Sequence, residues 1–299
     1  MPPPSHRTPA LLALVAAGVL ALALGRAASA KEPKPQVLEK RTLGAFQGGH
    51  LDLSAVRRGD AVQFQLENTY AGPVTLDLDF DLDNLAPIRA PRTLTLAAGD
   101  AITAAAFQVV RPERPFDYHY TLTWGFGAPG AASDDAVYDL PFPASRSYRV
   151  MQGYYGSFSH AETAALDWAM PEGTPVLAAR EGVVVACNDD ATGRGLDPEF
   201  RMLDRANWVV VLHADHTLGC YFHLAPHGLA VHPGQAVRRR QPLGLSGNTG
   251  FSSTPHLHFE VRSPVDGSHN TTFPVRYRAA GGSAAGEVPL EGQYYRAPV

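Results

Sequence analysis

Charged side chains are scarce in this chain of 299 residues, at 18% of the sequence against 45% hydrophobic residues. So much apolar material excludes a wholly disordered chain and predicts real hydrophobic cores. Basic residues do not exceed acidic ones, and the formal net charge of −4 argues against nucleic acid as a partner. The length is enough for two ordinary domains.

Cysteine is also scarce, since Cys187 and Cys220 are the only two. No C-x-x-C spacing is present, so a cysteine metal site is not indicated. Both residues lie in stretches with the apolar composition of strands. In an exported protein the pair either forms a disulfide or remains as two buried thiols, and the sequence leaves both alternatives open.

Long hydrophobic runs are absent apart from residues 10–24, a run of fifteen residues that is shorter than the ~20 needed to span a bilayer. His6 and Arg7 precede it and the small residues 28–30 follow it, which is the pattern of a secretory signal peptide. We predict cleavage after Ala30 and an exported protein, periplasmic or secreted, with no stable membrane anchor. Removal of that segment leaves 23 basic and 29 acidic residues, a charge of −6.

Residues 31–144 carry short apolar stretches separated by turn residues, a pattern typical of a β-sandwich. The clearest stretch is Val74–Asp83, in which apolar residues alternate with polar ones, mostly aspartates. Period two predicts a strand with one buried face and one acidic face. The aspartates do not fit a calcium loop, which needs glycine at position 6 and glutamate at position 12. We therefore predict an immunoglobulin-like accessory β-sandwich here.

Residues 145–275 form the second predicted domain, and they too read as strands separated by turns. The polar segment 189–207 and the turn 247–253 are predicted to wall a groove. The tail, residues 276–299, carries little signal and contributes either an edge strand or nothing. The predicted fold class for the whole chain is all-β.

The most informative stretch is residues 252–261, with His256, Leu257 and His258 at its centre. Apolar, strand-forming residues follow, which favours a β-strand. Side chains alternate between the two faces of a strand, so both imidazoles are predicted on one face and Leu257 on the other, in a core. Two histidines side by side on a strand suit a metal ion, or a metal ligand beside a proton-transfer group.

His160, Asp167 and His223 stand at or beside other predicted strands of the same domain. Two histidines and one carboxylate are a common catalytic zinc set, with water in the fourth position. Zinc lowers the pKa of that water to ~7 and so supplies a hydroxide nucleophile at neutral pH. The other two histidines can orient, deprotonate or protonate the reacting groups. Composition and spacing do not decide which three of the five residues bind.

Three segments taken together closely resemble the M23 (LytM/lysostaphin-like) metallopeptidases, which cut peptide bonds in bacterial peptidoglycan: SHAETAALDWAMPEGTPVLAAREGVVV, YFHL and GLSGNTGFSSTPHLHFEV. The resemblance covers about residues 145–275, with its motifs in the expected order. It implies a LytM-type antiparallel β-sheet groove walled by loops. It also implies one zinc ion per chain, and the ligands it assigns are His160, Asp167 and His258.

The resemblance further implies roles for the remaining two histidines. His256 would be the general base on the zinc-bound water, and His223 would orient water and stabilise the developing oxyanion. In many family members the first histidine lies four residues before the aspartate, whereas here the gap from His160 to Asp167 is seven. A longer spacing occurs in a subgroup that shares the DWAMPEGTPV-like continuation, which supports keeping His160 as a ligand.

The function implied is an exported zinc metalloendopeptidase that hydrolyses stem or cross-link peptides of peptidoglycan. The alternative is a non-catalytic LytM-like wall-binding protein or amidase activator. Such relatives typically lack one or more zinc ligands, whereas all five site residues are present in this chain. A metal-storage protein is a third possibility, but it explains none of the surrounding motifs.

The other histidines of the second domain match no motif and are interpreted as surface residues: His213, His216, His227, His232 and His269. Tyr154 and Tyr155 lie just upstream of His160. They either hydrogen-bond a transition state or pack as aromatic side chains, and the sequence leaves both alternatives open.

Overall fold

The chain folds as β-strands joined by turns and loops in a computed structural model, which describes residues 34–299. Two 3-10 turns, Pro198–Arg201 and Leu203–Arg205, are the only helical segments among the described residues. No helix in that part of the chain is long and apolar enough to cross a membrane. The predicted all-β fold class is confirmed. The predicted signal peptide, residues 1–30, lies outside the described residues.

The first eight strands form two antiparallel sheets. In chain order they are β1 (Gln36–Phe46), β2 (Gly49–Arg58), β3 (Ala61–Asn68), β4 (Val74–Asp83), β5 (Leu85–Arg89), β6 (Thr93–Leu96), β7 (Ala101–Val109) and β8 (Asp117–Phe126). One sheet has the order β1-β2-β3-β7-β5 and the other β6-β4-β8. Their apolar faces meet, with the rings of Phe64 on β3 and Phe80 on β4 4.7 Å apart. The immunoglobulin-like topology of this sandwich stays a prediction.

The remaining strands build a second region. They are β9 (Val137–Asp139), β10 (Ser147–Gln152), β11 (Ala165–Trp168), β12 (Pro175–Leu177), β13 (Gly182–Asn188), β14 (Arg194–Gly195), β15 (Trp208–Leu212), β16 (Leu218–Phe222), β17 (Leu224–Leu229), β18 (Ala236–Val237), β19 (Pro242–Ser246), β20 (Gly250–Phe251), β21 (Leu257–Pro264), β22 (Asn270–Thr272), β23 (Arg276–Arg278) and β24 (Tyr294–Arg296). The central antiparallel sheet has the order β18-β13-β15-β16-β21-β11-β10-β24, and β22 also pairs with β21.

Side chains of the central sheet alternate between its two faces, as strand geometry requires, and each face contributes to a hydrophobic core. On β21, Leu257 and Phe259 point into a core built within the second region. On β15, Trp208 points into the other core, which it shares with the first region, and its ring lies 5.0 Å from that of Phe46. Because this second core is continuous, residues 34–299 form one compact unit. The boundary between the two predicted domains stays a prediction.

Both cysteines are buried free thiols, which decides between the two alternatives left open by the sequence. Cys187 lies on β13 and Cys220 on β16, with β15 between these strands. Burial raises the pKa of each thiol to about 12. Neither side chain is therefore a thiolate at neutral pH, and neither has the reactivity of an activated cysteine.

The tail after residue 275 supplies an edge strand, which was one of its two predicted alternatives. β24 pairs with β10, with Tyr294 opposite Arg149 and Arg296 opposite Ser147. Earlier in the tail, β23 lies parallel to β9. The tail therefore covers the strand that leads into the His160 segment.

Candidate metal centre and groove

A groove of about 550 Å³ lies over one face of the central sheet. It is lined by all five predicted site residues: His160, Asp167, His223, His256 and His258. Both segments that the sequence predicted as walls contribute to this lining, through residues 196, 200–203 and 206 on one loop and residues 251–254 on the other. Among the described residues, those before 151 contribute nothing to the lining, so the first region leaves this groove open.

The three predicted metal ligands converge on one point. The Nε2 atom of His160 lies 3.2 Å from Nδ1 of His258 and 3.4 Å from Oδ1 of Asp167. The same Oδ1 atom lies 2.9 Å from Nδ1 of His258. Strand register accounts for one pair, because Asp167 on β11 stands directly opposite His258 on β21. Directly opposed residues of an antiparallel pair project from the same face of the sheet.

His160 reaches this point from a turn that a buried glutamine holds in place. Gln152 accepts hydrogen bonds from the backbone N–H groups of Phe158 and Ser159, at 3.0 and 2.9 Å. Its amide nitrogen donates to Ser159 Oγ at 2.8 Å and to Asp167 Oδ2 at 3.3 Å. One side chain therefore ties the long loop before Asp167 to that carboxylate, which is how the seven-residue spacing brings His160 to the site.

The second nitrogen of each ligand histidine also has a partner. Nδ1 of His160 lies 3.2 Å from the carbonyl oxygen of Gly153, which favours the tautomer with a free lone pair on Nε2. Nε2 of His258 lies 3.6 Å from the Glu260 carboxylate. Glu260 in turn accepts a hydrogen bond from Arg262 at 2.8 Å. Outer contacts of this kind fix the ring orientation of metal-binding histidines.

The electrostatics favour a positive charge between these donors. Burial by itself raises the pKa of the Asp167 carboxyl, but its contacts with His160 and His258 outweigh burial and hold that pKa well below its usual range. Burial by itself lowers the pKa of His258, yet Asp167 and Glu260 raise it to about 10. A proton or a metal ion bound at Nδ1 of His258 is therefore strongly favoured, and the two compete for that atom.

The donor set fits a zinc ion. Catalytic zinc sites use imidazole nitrogens and carboxylate oxygens at about 2.0–2.1 Å, arranged tetrahedrally, which places neighbouring donor atoms about 3.3 Å apart. The three separations here are 2.9, 3.2 and 3.4 Å. The residues present therefore match the size and the chemistry of this ion without rearrangement.

The two remaining histidines flank the three donors, and each is held through Nδ1. Nδ1 of His256 lies 2.8 Å from the carbonyl oxygen of Thr254, and Nδ1 of His223 lies 2.7 Å from that of Thr249. The two rings are 4.6 Å apart, and Nε2 of His256 is 3.7 Å from Asp167. His223 has a φ of 64°, a conformation that is uncommon for residues other than glycine and that concentrates at functional sites.

Both flanking imidazoles are neutral near pH 7. Burial lowers the pKa of His223 to about 3, with the neighbouring histidines acting in the same direction. Burial also lowers the pKa of His256, against the opposing charge of Asp167. With Nδ1–H donated to a carbonyl, each ring carries a free lone pair on Nε2.

The other candidates do not join the site. His216, His227, His232 and His269 are exposed, as predicted. The prediction that His213 is a surface histidine is wrong, because it is only 2% exposed and its Nδ1 bonds the carbonyl of Glu181 at 2.8 Å. Tyr154 packs against the core and donates to the carbonyl of Val275, whereas Tyr155 is exposed, and neither lines the groove.

Gln152, Glu260 and Arg262 contact the ligands or their neighbours, and the sequence analysis missed all three. For two of them a signal was present. Period two, applied to His256 and His258, continues through Glu260 and Arg262 on the same strand face. Gln152 carried no such signal, because its role depends on a loop that folds back onto the end of β10.

Three converging donors beside two neutral histidines, in an open groove, form the type of site found in metal-dependent hydrolases. Residues 161–271 match the profile of Peptidase family M23. The match confirms, for this part of the chain, the resemblance found in the sequence. Asp167, His223, His256 and His258 lie inside the matched segment, and His160 immediately precedes it.

Curated relatives share this segment. The chain is 32% identical over 126 residues to the peptidoglycan DD-endopeptidase ShyA of Vibrio cholerae, covering 40% of this chain and 26% of that protein. It is 36% identical over 97 residues to the DD-carboxypeptidase/endopeptidase Mpg of Neisseria meningitidis, covering 32% and 19%. The chain spans less than a third of the length of these relatives. Among solved structures, the catalytic domain of lysostaphin from Staphylococcus simulans is 25% identical, covers 43% of this chain and 88% of that one, and has a TM-score of 0.32.

Proposed function

We propose that this protein is an exported zinc metalloendopeptidase that hydrolyses peptide cross-links of bacterial peptidoglycan. The observation that carries the proposal is the complete site. His160, Asp167 and His258 converge within 3.4 Å of one another, and His223 and His256 flank them in the same groove. The relatives named as peptidoglycan DD-endopeptidases support the substrate class.

His160, Asp167 and His258 would hold the metal through Nε2, Oδ1 and Nδ1. When bound, zinc acts as a Lewis acid and lowers the pKa of a coordinated water to about 7. Glu260 and Gly153 hold the outer nitrogens of the two histidines, and Gln152 holds the second oxygen of Asp167. These contacts keep the three donors oriented while substrate binds and leaves.

His256 is proposed as the general base. Its Nδ1–H is donated to the carbonyl of Thr254, so the Nε2 lone pair is available to accept a proton from the attacking water. Burial keeps the imidazole neutral and therefore basic at neutral pH. After attack on the scissile carbonyl, the same nitrogen returns the proton to the leaving amine.

His223 is proposed to orient the water. Its ring is anchored to the carbonyl of Thr249, which leaves Nε2 as an acceptor for a water hydrogen. Stabilising an oxyanion, the second role that the resemblance implies, requires a proton on Nε2. Burial lowers the pKa of His223 to about 3, so the orienting role is the one better supported.

The proposal is tested with purified residues 31–299 incubated with cross-linked sacculi, with zinc and with a chelator. Muropeptides are read by mass spectrometry. We expect cross-linked dimers to disappear only with zinc, and the product masses to identify the bond that is cut. If zinc-loaded protein leaves the dimers intact, the endopeptidase proposal is wrong, and the non-catalytic wall-binding alternative gains weight.

A His256→Ala variant tests the assignment of the base. We expect the variant to retain one zinc per chain and its turnover rate to fall about 10²- to 10⁴-fold, which is the usual contribution of a general base. His227→Ala is the matched control, because that histidine is exposed and outside the groove. Wild-type turnover in His256→Ala would show that another group removes the proton.

A further inference from the structure

One cation faces the groove without a partner of opposite charge. Arg201 ends the first 3-10 turn and lines the groove. Within residues 34–299 its guanidinium makes no ion pair and no side-chain hydrogen bond. Its contact is with an aromatic ring instead, because the guanidinium carbon lies 3.7 Å from the centre of the Phe251 ring.

The other charged groups of the lining are already engaged. Arg262 donates to Glu260 at 2.8 Å, and Asp167 bonds His258 at 2.9 Å. Glu291 accepts a hydrogen bond from the backbone N–H of Gly153 at 3.2 Å. In the described part of the groove, Arg201 is therefore the cation left free to bind an anion.

The local fold holds this arginine in place before any ligand arrives. The strands β14 and β20 pair in parallel, which ties the arginine-bearing loop to the Phe251 segment. Phe200 packs so closely on Gly195 that a β-carbon at that glycine would clash with its ring. Stacking on Phe251 restricts the guanidinium plane and leaves its N–H edge free. A side chain ordered in this way loses little entropy when it binds.

Contacts along the chain place Arg201 on the side of the groove that holds the proposed base. Phe251, on which it stacks, is followed by Ser252, whose Oγ lies 3.2 Å from Nδ1 of His256. Gln152 and the turn that carries His160 stand on the other side of Asp167. His256 delivers a proton to the leaving nitrogen in the proposed mechanism, so that nitrogen is expected on the side of the metal centre that carries Arg201.

We propose that Arg201 binds a carboxylate carried by the carbon next to the leaving nitrogen of the scissile amide. The inference rests on the proposed function and narrows its substrate class. Such a carboxylate is present on a C-terminal residue, or on a branched cross-link whose amine belongs to a side chain. It is absent inside a linear peptide, where that carbon carries another amide. Arginine pairs with carboxylates through two parallel N–H···O bonds, which makes the contact selective as well as attractive.

The test uses two synthetic peptides that differ in one group. In both peptides, D-alanine supplies the carbonyl of the scissile amide. The carbon attached to the leaving nitrogen carries a free carboxylate in one peptide and a carboxamide in the other. We expect the wild type to have a kcat/KM about tenfold higher for the carboxylate, the discrimination expected from one charged hydrogen-bonded contact. Arg201→Gln should lose that preference by slowing the carboxylate peptide alone.

Arg205→Gln is the matched control, since Arg205 is exposed on the same loop and outside the groove. It should keep the wild-type preference. Equal slowing of both peptides by Arg201→Gln would mean that the arginine only supports the wall, and this would overturn the inference. A wild type that does not distinguish the peptides would overturn it as well.

A binding measurement separates this inference from the proposed function. Titration calorimetry of zinc-loaded His256→Ala protein with each peptide should give about a tenfold lower Kd for the carboxylate form, and Arg201→Gln in that background should remove the difference. If this preference is present while the wild type leaves sacculi intact, the proposed function fails and the carboxylate site stands. If sacculi are cleaved but binding shows no preference, the carboxylate site alone is wrong.

Discussion

Two polar clusters, one around the buried Arg180 and one around the buried Asp167, differ in where their positive charge comes from. In one, the guanidinium of Arg180 donates to both oxygens of Asp134, at 3.0 and 2.6 Å, and to Asp215 at 2.7 Å. In the other, the ion pairs of Asp167 among the described residues are with His160, His256 and His258, and none is with a lysine or an arginine. The chain supplies a permanent cation, Arg180, to the first cluster, whereas the three donors of the second are those proposed to hold a metal ion.

We interpret the first as a structural cluster and the second, His160, Asp167 and His258, as the proposed functional site, called the metal cluster below. Asp215 is satisfied by Arg180 and by the N–H and hydroxyl of Thr217, at 3.0 and 2.7 Å, and its pKa falls to about 2 although burial opposes that change. In the metal cluster, by contrast, Asp167 and Glu260 raise the pKa of His258 to about 10 although burial opposes that change. Removing a member of each cluster should therefore damage different properties of the protein.

The largest expected effect is that of Asp167→Ala. This change removes the only carboxylate among the three donors, so we expect bound zinc to fall from one per chain to none and hydrolysis of sacculi to be abolished. Metal content by mass spectrometry and muropeptide analysis measure the two losses. Asp190→Ala is the control, because that carboxylate is exposed and outside the groove. Full zinc content in Asp167→Ala would show that other donors hold the metal.

Arg180→Met is the corresponding test of the structural cluster. Arg180 is 4% exposed, and its loss leaves the buried Asp215 carboxylate without its cation, so we expect a loss of about 3–5 kcal/mol in the free energy of unfolding. Zinc content per folded chain should not change. Denaturant unfolding gives the stability, with Arg238→Met as an exposed control. If Arg180→Met removed zinc while the chain stayed folded, the two clusters would not be independent.

His213 lies beside the structural cluster, with its ring 5.6 Å from that of Tyr138, and it should make stability depend on pH. Burial lowers its pKa from 6.5 to about 4. Between pH 6.5 and about 4 the unfolded chain therefore binds a proton at His213 that the folded chain does not bind. The neutral, buried His213 does not lower the free energy of unfolding above pH 6.5, and the free energy of unfolding falls as the pH is lowered toward 4. The loss is at most about 3 kcal/mol.

The measurement compares the free energy of unfolding of metal-free wild type and His213→Gln across that pH range. Every other titratable group is common to both proteins, so the difference between the two curves isolates His213. We expect the variant to have the shallower pH dependence. Parallel curves would mean that His213 is hydrated in the folded chain and titrates normally.

What the sequence predicted well is local. β3 and β4 begin and end where the alternation of apolar and polar residues begins and ends, because strand periodicity is carried by neighbouring residues. The placement of His256 and His258 on one face, with Leu257 buried, follows from the same rule. The five site residues were found by motif resemblance, and the structure brings them into one groove.

What the sequence did not predict depends on contacts between distant residues. His213 directly follows a strand, at the start of a hairpin loop, where side chains are usually exposed. Its burial depends on packing against Tyr138, which is distant in sequence. Asp134, Arg180 and Asp215 are unremarkable charged residues until three separate loops meet. The same is true of Arg201, since its stacking on Phe251 joins residues fifty apart in sequence.

The smallest effect expected at the metal cluster is that of Gln152→Ala. Gln152 is not one of the three proposed metal ligands. Its side chain donates a hydrogen bond to Oδ2 of Asp167 and accepts hydrogen bonds from the two backbone N–H groups that position the His160 turn. Loss of such outer contacts typically weakens metal binding about 10- to 100-fold. Competition with a chelator of known affinity measures the change, and the exposed Gln108→Ala is the control. An unchanged zinc affinity in Gln152→Ala would show that the glutamine is not needed to orient the ligands. The sheet register of Asp167 and His258 and the turn that carries His160 would then be sufficient.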